Sequence, residues 1–206
     1  MPNPKPPSQA RSKETVRCIV EAAARVLATG GLTALNTNCV AEVAGVSVGS
    51  LYQYFPNKAA LLAALIEREA QALAEQVEAV VARCQGLDFA QTLSQLIDVA
   101  IAQQFGKPLL AAALDHEESR LQASGKAEPP SPAQVRLVGA VAQCLLAAEL
   151  AGTAASAQHL ALDCLLIAKA LIDHEGRVSA ECPPGLKPRV IAALTGYLAA
   201  SPHISS

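Results

Sequence analysis

The punctuation between residues 30 and 57 restricts the possible folds of this chain more than any other feature. Gly30 and Gly31 stop a preceding helix, and Asn36 is a good helix N-cap. Gly45 suits the left-handed position after a helix, Ser47 caps again, and Pro56 ends the run. These signals leave room for two short helices, about 36–45 and 47–56, joined by Ala-Gly-Val-Ser. Ahead of them a helix from about Ser12 to Ala28 carries Val16, Ile19, Val20, Ala23, Val26 and Leu27 on one face. Three helices in fewer than fifty residues, with the last two separated by a tight turn, is a helix-turn-helix layout.

The third of these helices holds much of the chain's aromatic content. There is no Trp, and three of the six Tyr and Phe residues are Tyr52, Tyr54 and Phe55. At 100° per residue, Val48, Leu51, Tyr52 and Phe55 gather on one side. Gly49, Ser50 and Gln53 face the opposite way, with Tyr54 on the far flank. The inner face is expected to pack on the first two helices. The outer face is small, polar and nearly flat. A glycine there costs about 1 kcal/mol of helix stability relative to alanine, and close approach to another surface would compensate. A DNA major groove is wide enough to admit such a helix. Tyr52 and Tyr54 then bracket a reading face, with Lys58 supplying charge at the same level; contacts of this type hold phosphates, leaving base edges to Ser50 and Gln53.

Charge is distributed in the same sense. The net charge of −2 argues against uniform nucleic-acid coating. Residues 1–60 nevertheless carry six basic groups against three acids, and the remainder ten against fifteen. A basic head on an acidic body suits a polyanion at one end only.

The rest of the chain reads as all-helical, with about nine helices in total and no internal repeat of useful period. The Pro-rich opening, residues 1–11, is expected to be a disordered basic arm. The head follows over 12–66, with its motif at about 36–55, and the body over 67–206. The boundary lies inside a long fourth helix, about Asn57 to Cys84, and not at a flexible linker. Asp88 caps a fifth helix over Phe89–Gln104, and Pro108 opens a sixth through Leu121. Ser131, Pro132 and Gln134 form a capping-box pattern for a seventh after the loop 128–132. Helix eight spans about Ser156–Asp173 and helix nine about Lys187–Ala199. Helix eight is apolar on nearly all sides, so it and helix nine are expected to pair with a second copy of the chain. Its run LALDCLLIAKALI carries Asp163 and Lys169 and reads as too short to cross a bilayer. Six well-separated cysteines without a Cys-x-x-Cys pair read as buried, reduced thiols of a cytoplasmic protein.

The stretch NTNCVAEVAGVSVGSLYQYFPNKAALLAAL resembles the helix-turn-helix of the TetR family of bacterial transcriptional regulators, as does the order of helices around it. The resemblance covers about residues 12–66. It implies that Thr37 and Asn38 touch the DNA backbone or nearby bases. It also places Val48, Gly49, Ser50 and Gln53 in the groove, and Tyr52, Tyr54 and Lys58 on phosphate or groove edge. Cys39 departs from the pattern: relatives often have arginine there, so a phosphate contact is missing or replaced. The family further implies a homodimer on a near-palindromic operator, and a body that binds a small effector. That effector most readily releases a repressor. Phe89, Gln104, Phe105 and His116 are candidate pocket features among Ala- and Leu-rich helices with room for a largely apolar ligand.

The alternative is a helical metal-dependent enzyme or metal sensor using His116, in the stretch DHEE, with His159 and Asp163. A His-Glu-x-x-His motif places both imidazoles on one ion, but here the second position is Arg120, and no third ligand is fixed by spacing. A purely structural helical adaptor would not need the glycine-bearing polar face. No phosphate-cradling glycine loop or Gly-x-Ser-x-Gly elbow is present, so no cofactor, metal or catalytic residue is expected.

Overall fold

A computed structural model describes residues 7–84, 86, 88–123 and 129–201. All regular structure among them is α-helical: α1 Pro7–Ala34, α2 Thr37–Ala44, α3 Val48–Tyr54, α4 Lys58–Arg83, α5 Phe89–Phe105, α6 Pro108–Ala123, α7 Pro132–Ala147, α8 Ala154–Val178 and α9 Leu186–Ala200.

The caps form as their residue types dictate. Asn36, Ser47, Asn57, Asp88 and Ser131 each accept a backbone N–H of the helix they open. Ser131 and Gln134 complete a reciprocal capping box. Two helices are longer than the sequence suggests. α1 begins at Pro7, within the stretch expected to be a disordered arm; residues 1–6 lie outside the described residues. Its glycine stop falls at Gly31, whose φ of 62° and ψ of −165° break the helix before a last turn at Leu32–Ala34. α8 starts after Thr153, which exchanges 3.1 Å backbone-to-side-chain bonds with Ser156. At 25 residues α8 is long and apolar enough, by length and composition, to cross a membrane, which corrects the shorter reading. In this fold it is packed against α5, α6, α7 and α9.

The head core gathers Ile19 and Leu27 of α1, Val40 of α2, Leu51 of α3 and Leu65 of α4, all fully buried. Each such side chain contributes about 1.5–3 kcal/mol relative to exposure. α6 belongs to this core too: Leu110, Ala113 and Leu114 are buried in it. Arg68 of α4 donates to Glu21 of α1 at 2.6 Å across the same junction. The body holds two further clusters, one joining Leu93 and Ile97 of α5 to Ile172, Val190 and Leu194, the other joining α7 to the start of α8. All six cysteines are free, but only Cys84, Cys144 and Cys164 are buried; Cys182 is exposed. Burial raises the Cys164 thiol to about 11, with the neighbouring Asp163 carboxylate adding to the shift.

Candidate nucleic-acid interface

α2 and α3 meet at a turn whose geometry follows from Gly45. Its φ of 68° and ψ of 31° let its N–H reach back to Ala41 and Glu42, while Val46 N donates to the Ala41 carbonyl at 3.0 Å. That is a helix terminated by a left-handed residue, and it aims the chain into the next cap. Ser47 Oγ accepts from Ser50 N at 3.0 Å and lies 2.8 Å from Ser50 Oγ. The hydroxyls of Thr37 and Tyr52 lie 3.3 Å apart, a solvent-exposed contact between α2 and α3.

The expected outer face is present. Gly49 and Gln53 are exposed; Tyr52, which the helical period groups with the inner side, is nevertheless 48% exposed, and Asn38 stands open at the start of α2 beside half-buried Thr37. A Cβ built on Gly49 meets only Ser47 Oγ at 3.9 Å, so nothing inside the protein requires glycine there. Three assignments need correction. Val48, expected on the inner face, is exposed, because α3 meets the core at its second turn through Leu51 and Phe55. Tyr54, expected to turn outward, is half-buried against the head core for the same reason. Ser50 is half-buried, with its hydroxyl engaged by the Ser47 cap.

Lys58 is exposed, and its Nζ donates to the Leu32 carbonyl at 3.1 Å, tying the start of α4 to the corner between α1 and α2. The Cys39 side chain is half-buried against the head core, and its N–H is capped by Asn36 at 2.8 Å. Val43, not singled out from the sequence, is 45% exposed on α2. Only its apolar character at an outward register could have marked it.

The proposed pocket residues do not converge. Phe89 lines a body cavity of about 590 Å³, reached between the end of α4, the start of α5 and the end of α7. Gln104 is instead buried against α8. Its Nε2 donates to Asp115 at 3.1 Å, and its side chain fills the space a Cβ on Gly176 would need. Phe105 packs in the α5–α8–α9 cluster, and His116 is exposed on α6. The alternative metal set does not assemble either: among the described residues no three His, Cys, Asp or Glu side chains come together as a metal site. His159 Nδ1 lies 3.0 Å from the Ala155 carbonyl, and Asp163 accepts from the Tyr197 hydroxyl.

A turn-linked helix pair with one helix facing outward, carried on an all-helical body, defines a helix-turn-helix DNA-binding protein. The sequence profile of bacterial regulatory proteins of the tetR family matches residues 19–65. Over 57 residues the chain is 42% identical to the HTH-type transcriptional repressor KstR of Rhodococcus jostii, covering 28% of this chain and 27% of that protein. The corresponding repressor of Mycobacterium tuberculosis is 39% identical over 57 residues and is covered to 26%. The match therefore spans about a quarter of these relatives' length. Whole-chain likeness is structural. A protein of Mesorhizobium loti assigned to the TetR-family regulators superposes with a TM-score of 0.68 at 19% identity, covering 92% of this chain and 97% of that one. A TetR-family regulator of Streptomyces coelicolor gives 0.63 at 21% identity, covering 90% and 98%. The head, residues 19–65, matches the DNA-binding domain of the TetR family, and the whole chain has the fold of solved proteins assigned to that family.

Proposed function

We propose that this protein is a cytoplasmic transcriptional repressor. It binds a near-palindromic operator as a homodimer and leaves it when a small, largely apolar effector occupies the body. The observation that carries the reading is the outer face of α3. A glycine free of any internal packing reason sits there beside exposed Gln53 and Tyr52, on a helix pair held together by the buried Val40 and Leu51 of the head core. Groove insertion needs such a face. Thr37, Asn38, Val48, Gly49, Ser50, Tyr52, Gln53, Tyr54 and Lys58 are proposed to carry the DNA contacts. Tyr54 and Ser50 have the least free surface among them. The homology of the head to KstR supports repression over activation. The dimer reading rests on α8, where Leu162 and Leu166 are 46% and 56% exposed one turn apart. Genome-wide mapping of bound DNA, followed by gel-shift assays on the recovered sites, tests the proposal. Recovery of a two-fold symmetric sequence supports it, and uniform non-specific retention refutes it.

A further inference from the structure

The residues that α3 turns outward form one stripe. Val48, Gly49, Tyr52 and Gln53 are exposed, while Leu51 is buried and Ser50 and Tyr54 are half-buried. At 100° per residue the four exposed positions span an arc of about 140°. Ser50 adds little to it, because its hydroxyl lies 2.8 Å from that of Ser47 and its N–H is taken by the same cap. The Tyr52 hydroxyl sits 3.3 Å from that of Thr37, which places it on the α2 side.

The stripe carries no charge. Residues 36–57, from the cap of α2 to the cap of α4, include no lysine, arginine or histidine, and their one charged side chain, Glu42, is an acid. The first cation after them, Lys58, donates to the Leu32 carbonyl at 3.1 Å. Guanine is most often read by a bidentate arginine or lysine on its O6 and N7. Neither α2 nor α3 has one to offer. The stripe offers instead an isopropyl group and a carboxamide. The methyls of Val48 suit the C5 methyl of thymine, and the amide of Gln53 can donate to adenine N7 while accepting from N6. Gly49, one turn before Gln53 on the same side, has no Cβ to hold the backbone away from base edges. Val48 and Gln53 are separated by about 7.5 Å along the helix. That exceeds the stacking distance of neighbouring base pairs, about 3.4 Å, so the two side chains address different pairs.

We propose that α3 reads A·T pairs: Val48 packs on a thymine methyl, Gln53 pairs with the adenine of another base pair, and guanine finds no cationic partner on either helix. This rests on the operator-binding reading above and adds the base identity and the two residues that select it. Phosphate contacts at Tyr52 and Lys58 hold register without choosing a base.

The test starts from duplexes that the full-length protein selects out of a random pool. In the selected half-site each thymine is replaced by uracil, which lacks only the methyl, and each adenine by 7-deazaadenine, which lacks only N7. Affinities are read by gel shift at one fixed salt concentration. One uracil per half-site is expected to weaken binding about fourfold, the worth of one buried methyl group. One 7-deazaadenine should weaken it about fivefold or more. Val48→Ala should erase the uracil effect and keep the 7-deaza effect, and Gln53→Ala should do the reverse. Both side chains are exposed, and a thermal melt verifies that each variant stays folded. A half-site of G·C pairs, affinities indifferent to the methyl and to N7, or effects that survive the two substitutions overturn the proposal. A defined operator with none of these dependences leaves DNA binding standing and removes the base assignment alone. A protein that selects no sequence overturns both.

Discussion

Gly49 is the residue at which internal and external demands separate most cleanly. Its Cβ would meet only Ser47 Oγ, at an ordinary contact distance of 3.9 Å, so Gly49→Ala should leave the fold intact and stabilise α3 by up to about 1 kcal/mol. The same methyl would stand on the face proposed to enter the groove. The expected outcome is an unchanged or raised Tm together with an operator affinity reduced several-fold. An alanine variant that binds operator as well as the parent would remove the reason for the glycine. Lys58 makes a different case, because its ammonium already bonds the Leu32 carbonyl. Three donors on one nitrogen leave two for a phosphate. Lys58→Ala should weaken all DNA sequences about equally and lower the salt slope by about one unit per half-site. A loss confined to one base position would make it a base reader. Residue by residue, the face containing Gly49 and Gln53 was legible because the helical period alone sets it. Val48 and Tyr54 were not, because a helical wheel treats a seven-residue helix as uniform along its axis. α3 meets the core from Leu51 onward, so its first residue is bared and its last is half-covered.

Among the elements, α6 shows what spacing alone conceals. DHEE reads as the start of a metal motif, yet in the fold its members are divided between two junctions. Asp115, Glu118 and Asp173 surround Lys169 of α8, whose ammonium lies 2.8 Å from Asp173 and 3.2 Å from Glu118. Glu117 points the other way, buried, and is held by Arg120 at 2.6 Å. The Arg120 hydrogen bonds draw its carboxyl below the ordinary value of 4.5 against the opposing cost of burial, with smaller help from His116 and Lys58. A depressed carboxylate contributes stability above its unfolded pKa, and that contribution is lost as pH falls through the lower folded value. Arg120 is half exposed, so the pair belongs on the modest scale of solvent-screened bridges, although Glu117 itself is desolvated. Arg120→Ala should therefore lower stability modestly at pH 7, with the deficit shrinking as pH falls below about 4.5 and Glu117 protonates in both proteins. Urea melts from about pH 2.5 to pH 8 check this, and a deficit that stays constant down to the acid end would assign the loss to packing. Caps were the most legible part of the elements, since Asn36, Ser47, Asp88 and Ser131 need only local geometry. The partners of Gln104 and Asp115 were not legible, because they come from elements far away in sequence.

At the scale of the whole molecule, the exposed leucines of α8 and the small outward residues of α9, such as Ala192 and Gly196, are proposed to meet their copies in a four-helix seam. Leu162→Glu with Leu166→Glu should give a monomer by sedimentation, with operator affinity down by more than about tenfold, since each head then binds one half-site alone. A dimer that survives both changes would place the seam elsewhere. The proposed coupling between effector and DNA is likewise reciprocal. An effector that weakens operator binding by about 5- to 150-fold, or about 1–3 kcal/mol, must itself bind that much more weakly when operator is saturating. Equal effector affinities with and without operator would exclude the mechanism.

The lodging of α6 in the head core affects how such proteins can be recombined. Leu110, Ala113 and Leu114 are some fifty residues beyond the head in sequence but belong to its interior. A graft that joins residues 7–66 to a foreign module would remove these side chains from the head core and bare the α1 and α4 surface that α6 covers. Recombination of reading heads with new sensors should therefore succeed when α6 travels with the head, or when the recipient's own counterpart matches these three side chains in size. Head and body thus share a joint, and a change of side-chain size in α6 is expected to need an answering change in α1.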